Sequence, residues 1–372
     1  MKVLIQFENK PLLFQDPESV ISCSDPSKFS ACFREIERAL ERGYYLAGFF
    51  SYEAGYCFEE RLRGEKPCDF PLVLLGAYKE PDKEFKAKYS SQEFSVSDFC
   101  LNISREKYGS HIEIIRDYIA EGDVYQITYC IKFHFNFKGD SFALYQKLLK
   151  EQPVPYPAYI QSDDFTILSL SPERFIKKNA GQVVTEPMKG TWPREEGLFS
   201  DLTARYRLWS DIKNRAENVM IADLLRNDLG RVGMHIRAPK LFTVAGYNTL
   251  FQMTSTVTGI VSKDIPIYNL FAAIFPSGSV TGAPKIRAMQ IIRELESQER
   301  KIYTGAIGYI APNRDLYFNI PIRTLLIQGE SGEMGVGGGI VWDSTAQGEW
   351  DEGLLKAKFL TDILVENRKE GV

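Results

Sequence analysis

Apolar residues recur at helical spacing in KFSACFREIERALERG. Phe29, Cys32, Phe33, Ile36 and Leu40 share one face, and Gly43 ends the run. The following stretch, YYLAGFFSYEAGY, is nearly unbroken in apolar and aromatic residues and predicts a buried strand. A second helix is predicted over about 106–120, with Ile112, Ile115 and Ile119 on one side. Gly122-Asp123 then turns the chain into the strand-like VYQITYCIKFHFNF, and the proline-punctuated QPVPYPAYI leads into another strand. FTILSL, ERFIKK and QVVTEP read as antiparallel strands, the last two joined by Asn179-Ala180-Gly181. One long helix is predicted from about Asp201 to Leu225, closing near Gly230. The remainder alternates strands and helices without an internal repeat, which predicts an α+β fold and not a regular βαβ winding. A charged, serine-rich stretch from Lys79 to Ser97 marks the expected boundary between an N-terminal α/β subdomain (1–100) and a catalytic domain (101–372).

Composition narrows the function. The chain has 372 residues, 44% hydrophobic and 25% charged, ample for a large core without disulfide or metal staples. Forty-five basic against 49 acidic side chains give a net charge of −4, which argues against a nucleic-acid surface. The start, MKVLIQFENK, has no signal-peptide pattern, and the longest apolar stretch, Tyr44 to Tyr56, is too short to span a bilayer and contains Glu53. The six cysteines all lie in the first 130 residues without a C-x-x-C pair, so reduced thiols and a cytoplasmic location are expected. Three histidines, His111, His134 and His235, leave little for a zinc site or a histidine triad.

Several positions carry candidate chemistry. Pairing across the Ala180-Gly181 turn sums to about 361, so Glu173 falls opposite about position 188, one residue from Lys189. That pair is either a cross-strand ion pair or an acid beside an amine that becomes nucleophilic when shielded from water. Gly190, next to the lysine, lets backbone approach a ligand. Glu217 shares a helix face with Met220, Ile221 and Leu224, so its carboxylate needs a partner there. Glu349, Glu352 and Lys356 lie three and four apart on another helix, as a surface Glu–Lys pair or as part of a site. Two helices each offering a glutamate suit Mg²⁺. GVGGGIV (335–341) reads either as an anion-binding nest of bare amides or as a tight turn. SGSVTGAPKIRAMQ opens a helix at Pro284, a plain helix start by itself. Arg323 alternates with apolar residues in NIPIRTLLI and needs an anion, for which a structural carboxylate is the simplest answer.

Seven segments, in order, resemble the chorismate-utilising enzymes: SPERF (171–175), PMKGTWPR (187–194), RAENVMIADLLRNDLGRV (215–232), SGSVTGAPKIRAMQII (277–292), GAIGYI (305–310), IRTL (322–325) and GVGGGIVWDS (335–344). The resemblance covers about residues 105–367 and implies two facing, near-orthogonal antiparallel sheets with helices outside and the active site in the cleft between them. It implies Mg²⁺ held by Glu217 and Glu352, with Glu349 assisting through water. Chorismate is expected to be held by the amides of Gly337, Gly338 and Gly339, by Lys356, and by Tyr309 and Arg323 at its enolpyruvyl carboxylate. Gly190, Thr191, Arg226, Gly278 and Ser279 are further expected substrate contacts.

The branches of that family separate at two positions. Anthranilate synthases typically carry alanine where this chain has Lys189, and the water-adding isochorismate and salicylate synthases use a lysine where this chain has Gln126. Both positions match the aminodeoxychorismate synthase branch, with component I of anthranilate synthase as the alternative. In that branch Lys189 attacks C2 of chorismate while Glu173 helps the 4-hydroxyl depart, and ammonia then displaces the lysine. No cysteine lies in a G-x-C-x-G setting, so a separate glutaminase subunit, in a heterodimer, is the expected ammonia source. A catalytically silent anion-binding protein would have lost Glu173, Lys189 or the glutamates, and all are present. Gln252 stands where many relatives have histidine, and no L-L-E-S feedback motif predicts tryptophan binding.

Overall fold

The computed structural model describes residues 1–64, 66–246 and 250–369, with side chains through residue 361. Among these, the strands form two antiparallel sheets of nine and ten. Val3, Ile5 and Ile160 of one sheet meet Phe49, Ile307 and Tyr317 of the other in a shared apolar layer. The outer faces are covered by helices. Arg105–Ala120 and Lys285–Leu295 pack on the first sheet, Phe29–Glu41 and Ile267–Ile274 on the second. Each sheet buries one face against its partner and much of the other under helices, so its central strands are apolar on both sides, whereas edge strands such as Gly233–Gly246 and Phe94–Leu101 stay largely exposed.

The first hundred residues feed both sheets. Lys2–Ile5 pairs with Tyr156–Gln161 in the first, whereas Tyr45–Phe50 pairs with Ala306–Ile310 in the second. The predicted helices near residues 29 and 106 form as Phe29–Glu41 and Arg105–Ala120, the latter capped by the Ser104 hydroxyl accepting from the Lys107 amide at 3.2 Å. No helix among the described residues is long and apolar enough to cross a membrane.

The single helix expected over 201–225 is two helices, Leu198–Ser210 and Ile212–Gly230. Nothing in the apolar spacing signals the break. It falls at Asp211, whose extended backbone (φ −67°, ψ 118°) frees its carboxylate to accept from the Asn214 amide at 2.7 Å and the Asn214 side chain at 2.9 Å. An aspartate able to cap a new first turn outcompetes helix continuation. The break lets the first helix bury Ala204 and Leu208 against Phe251 and Met253 while the second aims Glu217 elsewhere.

The hairpin follows its predicted register near the turn: Lys177 pairs with Val184, Lys178 with Val183 and Asn179 with Gln182. A bulge then intervenes and Arg174 pairs with Glu186, one residue short of the simple sum. Because Asp211 carries the break between the two helices, Asp211→Ala should lower unfolding stability by about 1 kcal/mol. The measurement is the urea midpoint at unchanged slope; an unshifted midpoint would mean that the cap does not hold the break.

Candidate active site

Glu173 lies just after the strand Thr166–Ser171 and is buried, 3% exposed. Its Oε1 accepts from the Ser279 hydroxyl at 2.7 Å and from the Met188 amide at 3.4 Å. Burial raises its pKa to about 7, against the lowering effects of the Ser279 bond and the Lys189 charge. At neutral pH a large share of this carboxyl therefore keeps its proton.

Lys189 sits in the short strand Met188–Pro193, whose register against Leu250–Val261 shifts between Met188 and Thr191. Gly190 supplies the backbone there, with φ 91°; a Cβ on it would come 2.9 Å from Asn214 Oδ1. The lysine pKa is lowered, first by burial and then by Lys356, while Glu217, Glu173 and Glu352 oppose the shift. Acid and amine thus face one cavity of about 320 Å³, which Thr191 and Ser279 also line.

The glycine run is not a turn. Ser331–Ile340 is a regular strand, and Gly337, Gly338 and Gly339 pair with Cys130, Tyr129 and Thr128 of Gln126–Gly139. Past Met334 the strand is paired on that side only, so alternate backbone groups point away from the ladder, as the Gly337 carbonyl does toward Lys356; the three glycines line the cavity as a strand edge, not as a turn-shaped nest. A Cβ on Gly339 would collide with the Gln126 side-chain nitrogen and lie 2.7 Å from Lys189 Nζ. A Cβ on Gly338 would lie 2.8 Å from Glu349 Oε2. Gln126 is fully buried, and neither polar atom of its amide has a partner among the described residues.

The acidic wall comes from two helices. Glu217 of Ile212–Gly230 and Glu349 and Glu352 of Ala346–Lys369 all line the cavity. Burial raises the pKa of Glu217 and Glu349, the latter despite accepting from the Ser344 hydroxyl at 2.6 Å. Glu352 is lowered by Lys356, whose ammonium sits 2.7 Å from it and donates to the Gly337 carbonyl at 2.7 Å. These donors fit a hard cation in charge and chemistry. No group of three or more His, Cys, Asp or Glu among the described residues stands close enough to hold a metal alone.

Arg323 also lines the cavity, at a left-handed φ of 49° just before the strand Thr324–Gln328. A non-glycine residue held there is strained, as residues at functional sites often are.

Three expected substrate contacts lie elsewhere. Tyr309, on the strand Ala306–Ile310, packs with its ring centroid 6.0 Å from that of Phe14 and does not line the cavity. Tyr303, six residues earlier in the same segment and ahead of the strand, does. The sequence offers two tyrosines in IYTGAIGYI and no periodicity that chooses between them. Arg226 is exposed and donates to Asp223 at 2.6 Å. Nine residues from Glu217 is two and a half helical turns, which puts it on the opposite face. Gly278 is buried where a Cβ would collide with Leu224, so it serves helix packing. The helix opening at Pro284 is a plain start, with Lys285 2.6 Å from Asp228. Lys213, Thr304 and Gln252 join the wall, the first two without a signal in the sequence.

A helix-covered pair of sheets around a cleft of acid, amine and carboxylates defines a class. The profile described as chorismate binding enzyme matches residues 6–362, and the chain belongs to that family. It is 38% identical over 276 residues to aminodeoxychorismate synthase component 1 of Escherichia coli, covering 72% of this chain and 61% of that protein. The aligned part thus spans about three fifths of that relative. Identity to the Klebsiella aerogenes protein of the same name is 40% over 332 residues, covering 82% and 74%. Component 1 of anthranilate synthase from Aquifex aeolicus is 35% identical over 274 residues, covering 72% and 56%. Among solved structures, anthranilate synthase component I of Streptococcus pneumoniae superposes with TM-score 0.77 at 26% identity, covering 96% and 89%. The isochorismate synthase MenF of Escherichia coli shares the fold, with TM-score 0.75 at 16% identity, covering 96% and 86%.

Gly339→Ala should cost at least about 100-fold in chorismate turnover, because the methyl needs the space that Gln126 and the Lys189 amine occupy. Turnover and thermal melting measured together test this. Activity near wild type would show that the glycine is not needed for space.

Proposed function

We propose that this protein aminates chorismate at C4 and retains the enolpyruvyl group, giving 4-amino-4-deoxychorismate for p-aminobenzoate and folate synthesis. The observation that carries the reading is the Lys189 amine and the buried Glu173 carboxyl lining one cavity, with burial lowering the pKa of the first and raising that of the second. The 38–40% identity to proteins named aminodeoxychorismate synthase component 1 supports it.

Lys189 Nζ bonds to C2, the ring π electrons shift toward C4, and the 4-hydroxyl leaves as water with the Glu173 proton. Ammonia then bonds to C4 as the π electrons return and the C2–Nζ bond breaks. One substitution becomes two easier ones. A lysine with lowered pKa and a carboxyl with raised pKa are the forms this order requires. Arg323 and Tyr303 would hold the enolpyruvyl carboxylate, a role supported by their both lining the cavity together with Thr191 and Ser279. Glu217 and Glu352, with Glu349 through water, would hold Mg²⁺, which when bound neutralises the ring carboxylate. Gln126 cannot act as the base that water addition needs. A separate glutaminase subunit would deliver the ammonia, with free ammonium as substitute.

Anthranilate formation is the second reading, favoured by the relatives of that name. Lys189 opposes it, and so does Gln252, a neutral amide where an imidazole would titrate. The test is product mass after incubation with chorismate, Mg²⁺ and ammonium. An aminated product still carrying the enolpyruvyl group is expected; anthranilate with free pyruvate overturns the reading.

The metal role has its own outcome. Glu217→Gln should lower turnover at least about 100-fold and abolish the Mg²⁺-dependent shift in melting temperature. An unchanged shift would remove Glu217 from the metal site.

A further inference from the structure

Among the described residues four buried side-chain polar atoms lack a hydrogen-bond partner, and three belong to Gln126 and Gln252. Gln252 is 7% exposed, lines the cavity and pairs across the strands with Thr191, two residues beyond Lys189. Its Oε1 is an acceptor in the cleft wall that no donor of the described protein meets. Buried acceptors are normally satisfied, so the missing donor is expected to arrive with a reactant.

Chorismate brings few donors. Its carboxylates and ether oxygen only accept, which leaves the 4-hydroxyl. Ammonia brings three N–H donors and one lone pair, and it must turn the lone pair toward C4. Gln126 lies beside the Lys189 amine, over Gly339, and so belongs to the end of the cleft where the lysine bonds. Gln252 is the unpartnered acceptor on the facing sheet, on the strand paired with the one that carries Lys189, and it lines the cavity.

We propose that Gln252 holds the ammonia for its attack, its carboxamide oxygen accepting one N–H so that the lone pair faces C4. This rests on the amination reading. In the step, the C4–N bond forms, the C2–Nζ bond breaks, and one proton passes from the entering nitrogen to the departing lysine nitrogen. Lysine adduct plus ammonia thereby gives amine product plus free Lys189. A neutral amide suits this role because it accepts from ammonia without stabilising ammonium, which has no lone pair to offer. A carboxylate at the same place would favour the unreactive cation.

Steady-state amination at saturating chorismate, with ammonium varied, tests the proposal. Gln252→Leu should raise the KM for ammonia about three- to tenfold, the loss expected of one neutral hydrogen bond. The KM for chorismate, and the yield of Lys189 adduct formed without ammonia, should stay within about twofold. Gln252→His, whose neutral ring also offers an acceptor, should recover most of the loss. If leucine prevents folding, Gln252→Met removes the same acceptor with less change in shape. An unchanged ammonia KM, or one that rises in step with the chorismate KM, overturns the proposal. Amination with an unchanged ammonia KM fails this proposal alone, whereas a wild type that makes no amine fails the amination reading and this proposal with it.

Discussion

Removing Glu173 and Lys189 from water in the same cleft sets the protonation of both. Each group loses hydration energy when charged, so burial pushes the carboxyl up and the amine down. Their mutual attraction pulls the other way and favours the ion pair. For Glu173 burial prevails even though Ser279 donates to it, which leaves an acid that titrates near neutrality. On an exposed sheet edge the same two residues would be an ordinary ion pair of little consequence. The rest of the site depends on that shielding, because a protonated lysine beside an ionised glutamate has neither a nucleophile nor an acid to offer.

Backbone irregularities create the shielded space. One register shift lies between Arg174 and Lys177, beside Glu173, and a second lies between Met188 and Thr191, around Lys189. Across the cleft the strand with Gly337, Gly338 and Gly339 stays regular and gives up its side chains, so that Gln126, Lys189 and Glu349 fill the room. One wall supplies functional groups and the other supplies absence. The carboxylates of Glu217, Glu349 and Glu352 gather at the side from two helices, one of which starts where Asp211 breaks a longer run.

Much of this was legible in the residues. The period of Phe29 to Leu40, the strand after Gly122-Asp123 and the turn at Asn179-Ala180-Gly181 are local patterns, and local patterns survive folding. The hairpin sum placed Glu173 within one residue of its observed position, and the error is the bulge, which leaves no mark on hydrophobic alternation. The helix break at Asp211 was hidden because capping competes with continuation at a residue compatible with both. Tyr303 precedes the strand and lines the cavity whereas Tyr309 lies within the strand and does not, and nothing in the local pattern distinguishes them. Arg226 was within reach, since helix geometry alone turns it away from Glu217. The glycine strand read as a nest because glycine spacing reports missing side chains without saying whether turn or close packing needs them.

Amination by this route requires Lys189 to act as a nucleophile, and intact-protein mass spectrometry reaches that directly. Protein mixed with chorismate and Mg²⁺ without ammonia, then quenched, should gain the mass of chorismate less one water, mapped to Lys189. The gain should vanish on addition of ammonium. Unmodified protein under those conditions, together with wild-type turnover by Lys189→Ala, would show that the lysine is only the ion-pair partner of Glu173.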